Sequence, residues 1–263
     1  MKELETAELK EIEFDILKDI HNYCTANGIA YFLWGGTLLG AIRHNGFIPW
    51  DDDIDIAMPR KDYIRFMNGY HSERYKAYSC ETEKNYPYCF GKVIDTHTLK
   101  IEPIRCKIQM GVDVDVFPID DYYAACMTEE NIKKRRKMLR LWSLVLLKGS
   151  SRNILKKAAI ALIRGTAAVT QISANRIARK VNQLGQKASN SNGKMLFADS
   201  NIKKPLLIEN SWISAFTAHP FEDGAFPVPV GYDALLHACY GDYMQLPPEE
   251  KRITHHSFKA YLR

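Results

Sequence analysis

Residues 29–58, IAYFLWGGTLLGAIRHNGFIPWDDDIDIAM, decide the fold. The apolar run IAYFLW reads as a short strand that breaks at Gly35-Gly36. Thr37 is the expected N-cap of a short helix, TLLGAIRHN, which stops at Gly46. From Asp52 to Met58, Asp and Ile alternate, the pattern of a second strand. Asp51, Asp53 and Asp55 share one parity, so an extended chain turns their carboxylates to one face. Asp52 has the opposite parity and is expected to do something else.

Working outward, Leu9, Ile12, Ile16, Ile20 and Tyr23 recur at helical spacing over residues 4–26, and Asn27-Gly28 stops that helix. RKDYIRFMNGY after Pro59 reads as another helix, and CFGKVID and KIQMGVDVDVFPID as two more strands. Beyond residue 126 come lysine- and arginine-rich helical segments at 129–149 and 154–184, then a polar turn at 188–194. The last part holds one short helix. The expected class is α+β: a mixed-sheet core over residues 1–125, a basic helical insertion over 126–204, and a segment 205–263 that completes the core.

The chain has 263 residues, 46% hydrophobic and 25% charged, ordinary values for a globular protein with a substantial core. The N-terminus, MKELETAELKEIEF, is acidic and amphipathic and has no apolar stretch of a signal peptide. No run reaches the roughly 18 apolar residues of a membrane span, and a cytoplasmic location is expected. The six cysteines (Cys24, Cys80, Cys89, Cys106, Cys126 and Cys239) form no CxxC pair and read as reduced thiols. Charge is unevenly spread. Residues 131–204 hold 18 Lys or Arg against one acid, Asp199, a net +17 that leaves −12 for the rest of a chain totalling +5.

Charge inside an apolar strand needs a partner. Two D-x-D pairs, Asp53/Asp55 and Asp113/Asp115, each lie among Val and Ile, and the partner expected for them is a hard divalent cation, Mg²⁺ or Mn²⁺. A neighbouring strand can bring the second pair beside the first. An EF-hand calcium loop fits poorly, since Ile56 stands where its glycine must be. Gly35-Gly36-Thr37, between strand and helix, lets backbone N–H groups approach a phosphate. No GxxxxGK[ST] is present, so this is not a P-loop.

FLWGGTLLGAIRHNGFIPWDDDIDIAMPRKDY (32–63), YPYCFGKVIDTHT (86–98), GVDVDVFPID (111–120) and YGDYMQLPP (240–248) together resemble the LicD family, which includes phosphocholine transferases and is distantly related to fukutin and fukutin-related protein. The resemblance covers roughly residues 20–125 and 220–256. It implies a nucleotidyltransferase-like core in which Gly35 and Gly36 form the phosphate turn and Asp53 and Asp55 the metal pair. Asp51 is then an outer acid and Asp115 the third carboxylate, while Asp113 departs from the apolar residue of many relatives. It further implies transfer of phosphocholine, or a similar phospho-alcohol, from a CDP-activated donor to a hydroxyl of a cell-surface glycan, teichoic acid or glycolipid precursor. Ribitol- or glycerol-phosphate transfer and true nucleotidyl transfer keep the same metal chemistry and stand as rivals. From another class, a non-catalytic scaffold for anionic polymers would not need the acids.

Arg43 and His44 are candidates to face the diphosphate, and Lys92 to neutralise phosphate charge. Trp34, Trp50, Tyr86, Tyr88 and Phe90 are weighed as a quaternary-ammonium cage, with core packing the simpler account of each. His255-His256 with Arg252 forms a basic ending with no metal role assigned. Segment 154–180 interleaves Lys and Arg with apolar residues, as a helix on an anionic membrane surface does. Nothing resembles a nucleic-acid-binding motif, and no nucleic-acid partner is expected.

Overall fold

The structure, a computed structural model, describes residues 1–105, 108–121, 129–148, 153–186, 194–197, 207–254 and 258–263. A short strand β1 (Lys2–Glu3) leads into helix α1 (Thr6–Asn27). A capping box between Glu5 and Glu8 starts α1, and Gly28 ends it at φ 58°, a conformation that glycine adopts without strain. Then follow β2 (Phe32–Leu33), α2 (Gly35–His44), β3 (Asp55–Pro59), α3 (Arg60–Gly69), β4 (Tyr75–Tyr78), β5 (Gly91–Asp95), β6 (Thr98–Ile101) and β7 (Asp113–Asp121). Three helices, α4 (Glu129–Leu146), α5 (Ile154–Val169) and α6 (Ala174–Gln186), precede β8 (Lys194–Phe197) and β9 (Leu207–Glu209). The chain closes with the hairpin β10 (Phe216–Phe221) and β11 (Gly224–Pro229), helix α7 (Tyr232–Tyr240) and β12 (Lys259–Leu262). This is an α+β fold.

The main sheet runs β2-β3-β7-β5-β4, with β8 pairing to β7 and β9 to β8. Only β3 and β7 are parallel among these pairs, in a register that sets Asp55 opposite Asp115. β5 lies antiparallel on the other side of β7 and sets Lys92 opposite the same Asp115. Both central strands are covered on two faces: Ile56, Ala57, Met58, Val114, Val116 and Ile119 have no exposed surface. That is why their apolar residues run on instead of alternating cleanly with polar ones. Ile16, Leu17 and Ile20 of α1 and Phe66 of α3 are fully buried against this sheet.

The elements differ from expectation in several places. The acidic strand begins at Asp55, not Asp52: the Asp51 N–H closes a turn on the Ile48 carbonyl at 2.9 Å, and residues 51–54 after it lie outside any strand. The helix after the glycines starts at Gly35 with Trp34 as its N-cap. Thr37 lies inside the first turn, and its hydroxyl accepts the Asp55 N–H at 2.8 Å. The stretch 154–184 is two helices, parted where Gln171 takes φ 55°. β8 extends the sheet from a span expected to be helical.

Several side chains of the helical block bond to the core segment from Cys80 to Pro87. Trp142 Nε1 donates to the Pro87 carbonyl at 2.5 Å, Asn175 Nδ2 to that of Tyr86 at 2.6 Å, and Arg179 Nε to that of Cys80 at 2.6 Å. Asn182, fully buried, donates to Glu81 at 2.8 Å. The hairpin covers another side, with Phe216 stacked on Phe32 at 5.3 Å and Phe226 edge-on to Phe14 at 5.7 Å. β12 joins β1 to β6. Cys24, Cys80 and Cys89 are buried and Cys239 is exposed, all four outside any disulfide. Cys106, Cys126, Asp199, His255, His256 and most of the expected polar turn lie outside the described residues.

Candidate active site

The turn before β3 gathers carboxylates. Asp51, Asp52 and Asp53 each offer an oxygen within 4.8 Å of the others. Asp52, set apart by parity in an extended chain, joins this group in a stretch that lies outside the strand. Asp55 follows at the head of β3, and Asp115 stands beside it on β7. The Asp55 carboxyl is pushed well above the ordinary carboxylate range, first by burial and then by the charges of Asp53, Asp115 and Asp51, against the pull of Lys92. So many like charges in one place repel, and the repulsion is relieved by holding a proton, as the raised Asp55 shows, or by a cation among them.

The N-terminus of α2 abuts the same acids. A Cβ on Gly35 would lie 2.7 Å from Asp55 Oδ2, and one on Gly36 2.5 Å from Asp51 Oδ2. Gly35 also takes φ 55°. Any side chain at either position would push into the acids, so the glycines keep open a gap between the helix start and the carboxylates. First-turn N–H groups have no helical acceptor and face an anion favourably. Oxygen-only donors beside such a turn fit a hard divalent cation carrying phosphate.

Behind the acids runs a buried ladder of charge. Lys92 Nζ donates to Asp115 Oδ1 at 2.5 Å and forms an ion pair with Asp113 Oδ2 at 3.0 Å, and Lys100 Nζ donates to Asp113 Oδ1 at 2.7 Å. Lys92 and Asp113 are 4% and 3% exposed, whereas the Asp115 side chain is 18% exposed. Burial opposes ionisation of Asp113, but Lys100 and Lys92 outweigh it and lower its pKa. Burial dominates at Asp115 and pushes it up to about 6, with Lys92 pulling the other way and Asp113 adding to the rise. Lys92 is thus committed to carboxylates, and its ammonium also lies over the rings of Tyr88 at 5.0 Å and Phe90 at 5.6 Å. Tyr86, Tyr88, Phe90 and Trp34 are buried, so packing accounts for them.

Arg43 and His44 sit at the far end of α2, a helix of 10 residues and so about 15 Å long, away from the glycines. Arg43 donates to the Tyr243 carbonyl at 2.7 Å, and the His44 ring meets Trp50 edge-on at 6.3 Å. Arg43 lines a groove of about 860 Å³ with Trp50, Tyr240, Tyr243 and Arg252. The Arg252 guanidinium lies over the Trp50 ring at 5.6 Å. Tyr240, 47% exposed as a residue, leads back to the acids: desolvation near its hydroxyl, then the charges of Cys239, Asp55, Asp51 and Asp53, raise its pKa.

Sequence reasoning missed Glu13, Lys100 and Tyr240. Glu13 is fully buried on α1, and neither carboxylate oxygen has a hydrogen-bond partner among the described residues. Burial raises its pKa well above the ordinary value, Lys100 opposes, and Asp53, Asp113 and Asp52 add to the rise. Its signal was present: Glu13 stands four residues from Leu9 and Leu17, inside the apolar stripe of α1.

The family model described as LicD/FKTN/FKRP, nucleotidyltransferase domain, matches residues 28–146, the stretch that carries both D-x-D pairs and the glycine turn. Over 273 aligned residues covering all of both chains, the sequence is 30% identical to lipopolysaccharide cholinephosphotransferase LicD of Haemophilus influenzae. A segment of 37 residues, 14% of this chain and 8% of the other, is 51% identical to human ribitol 5-phosphate transferase FKRP. An uncharacterized protein of Rickettsia typhi is 33% identical over 110 residues, 42% of this chain and 35% of its own. The chain belongs to the LicD family, with its nucleotidyltransferase-like core.

Proposed function

We propose that the protein is a phosphotransferase that moves phosphocholine, or a closely similar phospho-alcohol, from a CDP-activated donor to a hydroxyl of a cell-surface glycan or glycolipid precursor, working in the cytoplasm. The observation that carries it is the acid group of Asp51, Asp52, Asp53 and Asp55 set against Gly35 and Gly36 at the start of α2. The full-length similarity to a lipopolysaccharide cholinephosphotransferase supports the choice of group.

Asp51, Asp53 and Asp55, with Asp52 beside them, would hold Mg²⁺ or Mn²⁺, and Asp115 lies alongside. Such an ion, when bound, supplies positive charge to a diphosphate and to a departing phosphate. The start of α2 receives the phosphate oxygens and orients the donor for in-line attack. The acceptor hydroxyl bonds to the phosphorus that carries choline, the bond from that phosphorus to the bridging oxygen breaks, and CMP leaves. Asp115, the exposed end of the charge ladder, takes the hydroxyl proton. The groove of Arg43, Trp50, Tyr240 and Arg252 offers aromatic faces and positive charge to the rest of the donor.

The test is CMP release from CDP-choline with Mg²⁺ and glycolipid or teichoic acid acceptors, beside Asp53→Ala. Asp53→Ala is expected to lose at least about a hundredfold in rate, the scale of a lost electrostatic clamp. Equal CMP from both proteins would remove the metal assignment. The similarity to a ribitol 5-phosphate transferase over 37 residues favours a second reading: activity with CDP-ribitol and none with CDP-choline would replace the choline assignment by that one.

A further inference from the structure

We propose that the outward face of α5 seats the protein on an anionic lipid bilayer. Ile154, Leu155, Leu162 and Val169 of this helix are 82%, 81%, 70% and 85% exposed, and Ala167 is its one buried residue. Ile154, Ala158, Leu162, Gly165 and Val169 follow one another at helical spacing, so they form one apolar stripe. The stripe is bare as well as apolar: a Cβ on Gly165 would meet nothing within 4 Å. Monomeric soluble proteins rarely leave such a surface uncovered.

The helix is held with this face outward. Arg164, on the opposite side, donates to the carbonyls of Leu144 at 2.8 Å and Leu147 at 2.5 Å. It thereby fastens α5 to the C-terminal end of α4, with Ala167 packed inward. At the corner between α5 and α6, Ile172 lines a groove of about 440 Å³ with Met138, Leu141, Ile177 and Leu184, and Lys134, Arg176 and Lys180 share its lining. Apolar surface beside basic side chains recurs across the block.

Charge chooses the occupant. A second copy docking through this face would bring a region of net +17 against its like, whereas an anionic bilayer attracts each base near its surface. At 16 residues, α5 is too short to span, and Lys156, Lys157 and Arg164 lie within it. Among the described residues, no helix is long and apolar enough to cross a membrane. A helix of this kind lies in the interface plane with its apolar side down. The purpose of docking rests on the proposed transfer to a glycolipid, but the surface itself does not, and its test contains neither donor nor acceptor.

The full-length protein is sedimented with vesicles of phosphatidylcholine alone and of phosphatidylcholine with about 30% phosphatidylglycerol. Binding is expected only to the second. Leu155→Glu with Leu162→Glu, both at exposed positions and so compatible with folding, should weaken it at least about tenfold. Leu162→Trp should show a blue-shifted emission on binding and quenching by brominated lipid. Equal binding to both vesicles, no binding, or binding unchanged by the glutamates would overturn the proposal. So would a dimer in sedimentation velocity that Leu162→Glu abolishes, since it assigns the face to a second copy.

Discussion

At Gly36 the whole site depends on a missing atom. The backbone there is not in the left-handed region, so alanine costs no conformational strain, and its Cβ collides only with Asp51 Oδ2 at 2.5 Å. Gly36→Ala is therefore expected to fold with a melting temperature within a few degrees of the parent, yet to bind Mn²⁺ about tenfold more weakly by calorimetry, each tenfold being about 1.4 kcal/mol. Gly35→Ala combines the same clash with a left-handed φ of 55° and should also lose about 1 kcal/mol of stability. Mn²⁺ affinity unchanged in both variants would show that the carboxylates do not need that gap. Glu13 gives a second expectation, with a definite sign. Its folded pKa stands well above the ordinary 4.5, so above pH 4.5 the folded state holds a proton that the unfolded state has lost. Stability is then full below that pH and declines as pH rises, by at most about 1.4 kcal/mol per unit. Glu13→Gln removes this slope. Its advantage over the parent in urea midpoint should widen from pH 5 to pH 8, and a constant gap would refute the buried, protonated acid.

At the scale of elements, three strands make one device. β3 contributes Asp55, β7 Asp113 and Asp115, and β5 Lys92, and only the register of both ladders brings them together. Each strand was readable from its β-branched residues, and the two D-x-D pairs from their apolar setting. The order of strands was not readable, because hydrophobic pattern fixes which face is buried and leaves the neighbour open. For that reason Lys92 was expected at a phosphate, when the register instead clamps it between two carboxylates. Residues 52–54 failed differently: they lead into the alternation of Asp and Ile, yet the strand itself starts only at Asp55. Glu13 and Lys100, each an ionisable side chain on a buried face, become intelligible only when β6 and α1 are seen against Asp113. Removing Lys92 should be costly, since it leaves Asp115, only 18% exposed, without its cation and Asp113 with one ammonium instead of two. Lys92→Met is expected to destabilise by about 3 kcal/mol in urea unfolding. Adding Asp115→Asn should recover at least about 1 kcal/mol of that, as coupled neighbours do. Strictly additive effects would dissolve the ladder as a unit.

For the molecule as a whole, the division of charge was plain in the sequence and the joining of its parts was not. Composition separates a basic middle from an acidic remainder, but the hydrogen bonds that tie them are made by single polar residues that carry no periodic signal. Trp142, Asn175, Arg179 and Asn182 all reach the segment from Cys80 to Pro87. Arg60 of α3 grips Asp120 of β7 at 2.5 and 2.8 Å and reaches Asn182 at 3.4 Å. Asn182 has no exposed surface, so its bonds form in a low-dielectric interior where losing them is expensive. β8 adds a backbone ladder between the block and β7. These links predict that core and helical block melt together: calorimetry should give one transition, with the van't Hoff and calorimetric enthalpies equal. Asn182→Ala leaves a donor on Arg60 and an acceptor on Glu81 without this partner and should cost about 2–3 kcal/mol. It should lower that single transition for both parts, read by near-ultraviolet dichroism and by loss of Mn²⁺ binding at the same temperature. Two separated transitions in the parent would mean that the basic block is an independent unit and that the Asn182 contacts do not couple it to the acids.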